Sequence, residues 1–247
     1  MDPMKLLLLS NSSAPGRGYL DHAEEVIAEH LDGVEELLFV PYALADHDGY
    51  TAKVAAFMER LGIRVLGVDT AADPRAAVAG ARAVFVGGGN SFRLLAALQQ
   101  RGLVEAVARR VREDGVPYMG SSAGTNMACP TLRTTNDMPI VQPASFETLG
   151  LVPFQINPHY LDPQPDSAHM GETREERLSQ FLEENDVPVL GLREGTWLRR
   201  SGPSLELGGV PAGARLFTAG AEPVEYAPGT DLSALLTRPA RFDVRPA

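Results

Sequence analysis

The sequence predicts an α/β protein: a mostly parallel sheet flanked by helices, followed by a C-terminal β-hairpin region. Three observations predict it. Strand-like and helix-like segments alternate through the first half of the 247 residues. The strand-like runs are apolar at nearly every position, as in Ala83-Val84-Phe85-Val86, which suits burial on both faces of a parallel sheet. From Thr196 onward, short apolar runs are separated by Gly and Pro, which suits hairpins.

The first strand is expected at 6–9, a run of four leucines that stops at Ser10-Asn11-Ser12-Ser13. This run is too short for the apolar region of a signal peptide. Further strands are expected at 36–40, 64–68, 83–86 and 116–120. Helices are expected between them at 19–31, 50–61, 74–79 and 103–114; in the last, Leu103, Val107 and Val111 share one face. Residues 131–166 are rich in Pro, Asn and Thr and read as long loops with short strands. A helix should then run to about Asn185, with Thr173 as N-cap and Glu176 as its capping-box partner. A buried strand is expected at 187–192, then hairpin strands at 197–200, 205–207, 215–218 and 223–226. No repeat, low-complexity tract or linker interrupts the chain, so 1–247 reads as a single domain.

Composition narrows the function. Apolar residues make up 44% of the chain, enough for a sizeable core. The net charge of −10 argues against nucleic-acid binding and against attraction to anionic lipid. No stretch is long and apolar enough to span a membrane, and the expected location is the cytoplasm. The lone Cys129 excludes an intrachain disulfide and a thiolate zinc site.

The most informative segment joins the strand at 116–120 to Gly120-Ser121-Ser122-Ala123-Gly124. Gly-x-Ser-x-Gly after a buried strand is the pattern of a nucleophile elbow. The turn is tight, so small residues must flank the serine, and the next N–H points to where an oxyanion would form. This makes Ser122 the candidate nucleophile and Ala123 a candidate oxyanion donor. The plainer reading is a glycine-rich turn with no chemistry. Ser121 is the rival serine, but it lacks the flanking glycines.

Gly87-Gly88-Gly89-Asn90 also follows a buried strand. It lacks a Walker lysine and the dinucleotide glycine spacing. A second oxyanion donor at Gly88 or Gly89 is therefore favoured over phosphate binding, with a plain tight turn as the alternative. A serine nucleophile needs a neutral imidazole as base. His22, His30 and His47 are accounted for by solvated helix faces. His159, after an apolar run and a proline, suits a fixed loop at a strand end better than His169, which sits in a polar loop. The acid that orients the imidazole is open between Asp137 and Glu194. The chain order serine, acid, histidine favours Asp137, while Glu194 lies just past a buried strand.

Gly-Ser-Ser-Ala-Gly-Thr-Asn, Gly-Gly-Gly-Asn-Ser-Phe, Arg-Thr-Thr-Asn-Asp-Met-Pro, Asn-Pro-His, Gly-Glu-Thr-Arg-Glu and Gly-Leu-Arg-Glu-Gly occur in this order. Together they resemble peptidase E, the α-aspartyl dipeptidase family. The resemblance implies a fold like class I glutamine amidotransferase domains, with serine replacing their cysteine. It implies removal of N-terminal aspartate from Asp-X dipeptides, with no metal and no other cofactor. By motif, Ser122 is the nucleophile and His159 the base, and both Asp137 and Glu194 match acidic positions of the family. Ser121 departs from it, because members usually carry tryptophan there, which bears on the shape of the substrate pocket. The expected partner is a small peptide, and a homodimer is allowed. A related peptidase acting on an aspartate-containing polymer such as cyanophycin is the runner-up. A silent binding domain of the same fold is the third reading. Aspartate selection needs a local cation, and Arg174, in the first turn of its helix and within Gly-Glu-Thr-Arg-Glu, is the candidate. Arg133 and Arg177 come next. Pairing of Arg174 with its own helix face is the plainer alternative.

Overall fold

The five apolar runs of the first half form parallel strands β1 (Lys5–Leu9), β2 (Glu36–Val40), β3 (Arg64–Gly67), β4 (Val84–Val86) and β5 (Tyr118–Ser121). They are followed by β6 (Gln155–Pro158), β7 (Val189–Leu192), β8 (Thr196–Ser201), β9 (Ser204–Gly209), β10 (Ala214–Phe217) and β11 (Val224–Tyr226). The computed structural model describes residues 4–163 and 171–244. The main sheet has the order β3-β2-β4-β5-β1-β8-β9, and a second sheet has the order β11-β10-β7-β6. Among the described residues, no helix is long and apolar enough to cross a membrane.

Among the described residues, seven α-helices accompany the strands: α1 (Glu24–His30), α2 (His47–Glu59), α3 (Pro74–Gly80), α4 (Ser91–Gln100), α5 (Leu103–Arg112), α6 (Ala123–Met127) and α7 (Arg174–Glu184). The leucine run of β1 shows why both sheet faces need cover. Leu6 and Leu8 join one core with residues of α3, α4 and α5, while Leu7 and Leu9 join another with residues of α1 and α2. Alternate side chains of a strand point to opposite faces, so an unbroken apolar run feeds two cores at once.

Several boundaries differ from expectation, each with a local cause. The helix expected at 19–31 starts late, because Leu20 is left-handed (φ 61°) and a 3-10 turn, Asp21–Ala23, precedes α1. The helix expected from 50 begins at His47, capped by the Asp46 carboxylate on the Gly49 N–H (2.9 Å). Helix α4 was not separated from the glycine segment before it. Its signals are Asn90, whose side chain accepts from the Arg93 N–H, and the buried Leu94, Leu95 and Leu98. At α7 the capping box forms as expected: Thr173 Oγ1 accepts from the Glu176 N–H (3.1 Å), and the Glu176 carboxylate accepts from the Thr173 N–H (2.6 Å).

The hairpin strands divide between the two sheets. β8 and β9 extend the main sheet, with β8 antiparallel to β1. β10 and β11 extend the second sheet beside β7, which runs parallel to β6. The segments after β1, β4 and β5 therefore meet at one edge of the main sheet. Those after β6 and β7 are brought to the same edge by the second sheet.

Candidate active site

Ser122 follows β5 with φ 51° and ψ −108°, a left-handed conformation that a serine adopts only when its surroundings impose it. The Ser122 N–H donates to the Leu9 carbonyl (3.1 Å), and Thr125 Oγ1 donates to the same oxygen (2.6 Å). The buried Tyr118 hydroxyl donates to the Gly124 carbonyl (2.7 Å). The flanking glycine has a steric reason: a Cβ on Gly124 would lie 1.9 Å from the Val86 carbonyl oxygen of β4. The rival Ser121 is fully buried within β5, and its hydroxyl has no hydrogen-bond partner.

His159 follows β6 and is also left-handed (φ 54°). Its Nε2 lies 3.0 Å from Ser122 Oγ, and its Nδ1 lies 2.6 Å from Glu194 Oε1. Asp137 is elsewhere, which corrects the preference drawn from chain order. Its Oδ2 accepts from the Ser91 N–H (2.7 Å) and from the Ser91 hydroxyl (2.5 Å) at the start of α4. A carboxylate at a helix N-terminus meets unpaired N–H groups and the positive end of the helix dipole, so Asp137 is held there. The loop that carries it is laid along β6: the Asn136 side chain donates to the Pro158 carbonyl (2.7 Å), and the Asn157 side chain to Asn136 Oδ1 (2.7 Å). The rival base His169 lies outside the described residues.

Sequence reasoning passed over Ser10 and Asn11. Both are buried at the end of β1. Ser10 Oγ donates to the Leu192 carbonyl (2.7 Å) and accepts from the His159 N–H (2.9 Å). Asn11 Oδ1 accepts from the Gly195 N–H (2.7 Å), next to Glu194. Leu9, Ser10 and Asn11 thus fasten the backbone at or beside Ser122, His159 and Glu194 in turn. Two polar residues directly after a run of four leucines were the available signal.

The Ala123 N–H, at the start of α6, and the Gly89 N–H have no partner among the described residues. The Gly88 N–H lies near the Tyr50 hydroxyl. A Cβ on Gly88 would lie 3.2 Å from Ser122 Cβ, so this loop runs directly over the serine. Arg174 makes no ion pair within 4.0 Å among the described residues. Burial pushes its pKa down and Arg177 adds to this, while the nearby Asp137 carboxylate opposes. Arg133 instead forks onto Asp243 (2.6 and 3.0 Å), and Arg177 pairs with Glu172 (3.6 Å). The alternative in which Arg174 pairs along its own helix is therefore not observed.

Two histidines assigned to solvated faces are not on them. His30 Nε2 meets the Tyr118 carbonyl at 3.1 Å, and burial pushes its pKa down to about 4. Burial also lowers the pKa of His22. The Cys129 thiol is buried and pushed up to about 12, so it is held as a neutral packing group.

Comparison with known proteins follows the geometry. The model of peptidase family S51 matches residues 6–208. A protein named peptidase E from Streptomyces coelicolor is 64% identical over 240 residues, covering 97% of this chain and 98% of that one. A protein named probable alpha-aspartyl dipeptidase from Drosophila melanogaster is 49% identical over 235 residues, covering 94% and 98%. The crystal structure of a peptidase from an acI-B1 actinobacterium superposes with a TM-score of 0.65 at 15% identity, over 93% of this chain and 96% of that one. At that identity the likeness is one of fold.

Proposed function

We propose, from the premise that this chain belongs to peptidase family S51, that it hydrolyses Asp-X dipeptides through an acyl-enzyme on Ser122. It is a peptidase, and the aspartyl specificity accords with the name of the Drosophila relative. The observation that carries the site assignment is the line Ser122–His159–Glu194, with contacts of 3.0 and 2.6 Å.

In this reading Ser122 Oγ attacks the scissile carbonyl as His159 Nε2 takes its proton. Glu194 holds Nδ1–H, fixing the tautomer and stabilising the imidazolium as it forms. The tetrahedral oxyanion is received by the Ala123 N–H and by an N–H of the Gly88–Gly89 loop, which runs over the serine. His159 returns the proton to the leaving amine. Water, activated by the same imidazole, then releases aspartate.

Arg174 and Asp137 supply opposite charges next to each other. The guanidinium suits the substrate's side-chain carboxylate, and the carboxylate suits its α-ammonium. Asp137 then becomes a binding group, which fits its place at the start of α4. Asp-Leu and Asn-Leu as substrates test the reading. The chain should cleave Asp-Leu and discriminate against Asn-Leu, and Ser122→Ala should cost at least about a thousandfold in kcat. Arg174→Met should raise KM for Asp-Leu about tenfold or more and erode the discrimination. An Asp-to-Asn ratio unchanged in Arg174→Met would move the specificity site elsewhere.

A further inference from the structure

We propose that Lys53 forms the subsite for the free C-terminal carboxylate of residue X, and so confines the enzyme to dipeptides. The inference rests on the Asp-X reading above and adds to it the side of the substrate that leaves. Ser122 and His159 open onto a cavity of about 490 Å³ that Ser12, Tyr19, Tyr50 and Lys53 also line. Arg174 and Asp137 are not among its described lining residues, so it is separate from the pair assigned to aspartate.

The chemistry places the leaving residue here. The proton that His159 takes from Ser122 must be handed to the leaving nitrogen, which must therefore lie beside the imidazole. In a dipeptide, one carbon separates that nitrogen from the terminal carboxylate. The carboxylate must then lie within the same cavity, and an anion removed from water needs a cation.

Lys53 is the only permanently cationic side chain among the described lining residues. Its Nζ lies 4.5 Å from the centroid of the Tyr19 ring. Tyr19 is itself backed by Tyr50, with hydroxyls 3.5 Å apart and rings edge to face at 6.4 Å. The ammonium is thus steered over a packed aromatic platform. No carboxylate lies within 4.0 Å of it among the described residues. Asp46 also lines the cavity, but its carboxylate is turned to the Gly49 N–H as the cap of α2. The chain has 20 arginines and only two lysines, Lys5 and Lys53, and a net charge of −10. An ammonium suits this place, because it binds a carboxylate as a point charge and tolerates the shifts in angle that different X residues impose. A guanidinium fork would demand one orientation.

A longer peptide presents a neutral amide where the dipeptide presents its carboxylate, and so loses this contact. Asp-Leu and Asp-Leu-amide isolate the difference, because they differ only in that group. The native chain should favour Asp-Leu in kcat/KM by about tenfold. Lys53→Met should lose that factor on Asp-Leu, mostly through KM, and leave the amide within about twofold. Lys53→Arg should retain part of the preference. Lys53 is exposed, so these substitutions leave the core untouched. Equal losses on both substrates, or no loss on Asp-Leu, would overturn the subsite alone. A native chain inert to both substrates would overturn the Asp-X reading and this proposal with it.

Discussion

Removing the charge of Glu194 while keeping its shape is the sharpest test of the assigned acid. In Glu194→Gln the side chain still reaches His159 Nδ1, 2.6 Å away, but no longer opposes the imidazolium that forms as Ser122 is deprotonated. A hydrogen bond to a charged group contributes about 1.5–3 kcal/mol, which is about 10- to 150-fold in rate. A buried triad carboxylate is worth more, about 10⁴ in kcat. Here the side chains of His159 and Glu194 are 39% and 49% exposed, so water screens the pair and the lower range applies. The expected loss is about 10- to 100-fold in kcat for Asp-Leu, with KM little changed. Asp137→Asn is the control. It loosens a carboxylate that accepts from Ser91 and faces Arg174, so it should act mainly on KM. A kcat loss larger in Asp137→Asn than in Glu194→Gln would refute the assignment and restore the acid that chain order favours.

Ser10→Ala strands a buried N–H at His159 and a buried carbonyl at Leu192, so urea unfolding should show about 2–4 kcal/mol less stability; a loss below about 1 kcal/mol would mean that the loop relaxes without it. His30 makes stability depend on pH. Burial holds its folded pKa at about 4 against a reference of 6.5, so the unfolded chain binds the extra proton between these values. Its contribution is complete above about pH 6.5 and is lost as pH falls towards 4, by up to about 3 kcal/mol. His30→Gln should flatten this part of the profile in urea melts at pH 7 and 4.5, and parallel profiles for the two proteins would remove His30 as its cause.

Local chemistry is what the sequence carried well. Gly-Ser-Ser-Ala-Gly after a strand marks the elbow because the steric demand there is local: Gly124 must clear Val86, and no side chain can. Thr173 and Glu176 cap α7 across three residues, a distance that short-range hydrogen bonding decides. Helix α4 is legible from Asn90 and its leucine spacing, but the glycines before it are turn signals that mask its start.

By itself, the sequence determined the strand–helix alternation, the doubly covered sheet, the tight serine turn and the family, because each depends on neighbours in the chain or on patterns of burial. It left the acid open, since Asp137 and Glu194 are both plausible loop carboxylates and differ only in where their loops are carried. The tertiary structure sets them apart. Parallel pairing of β6 with β7 brings the ends of both strands together, placing Glu194 beside His159 although 35 residues separate them. The helix α4 N-terminus, with its unpaired N–H groups, draws Asp137 away across 46 residues. The same holds for Ser10, whose bond to Leu192 spans 182 residues. Such contacts depend on how distant segments pack together rather than on any local preference.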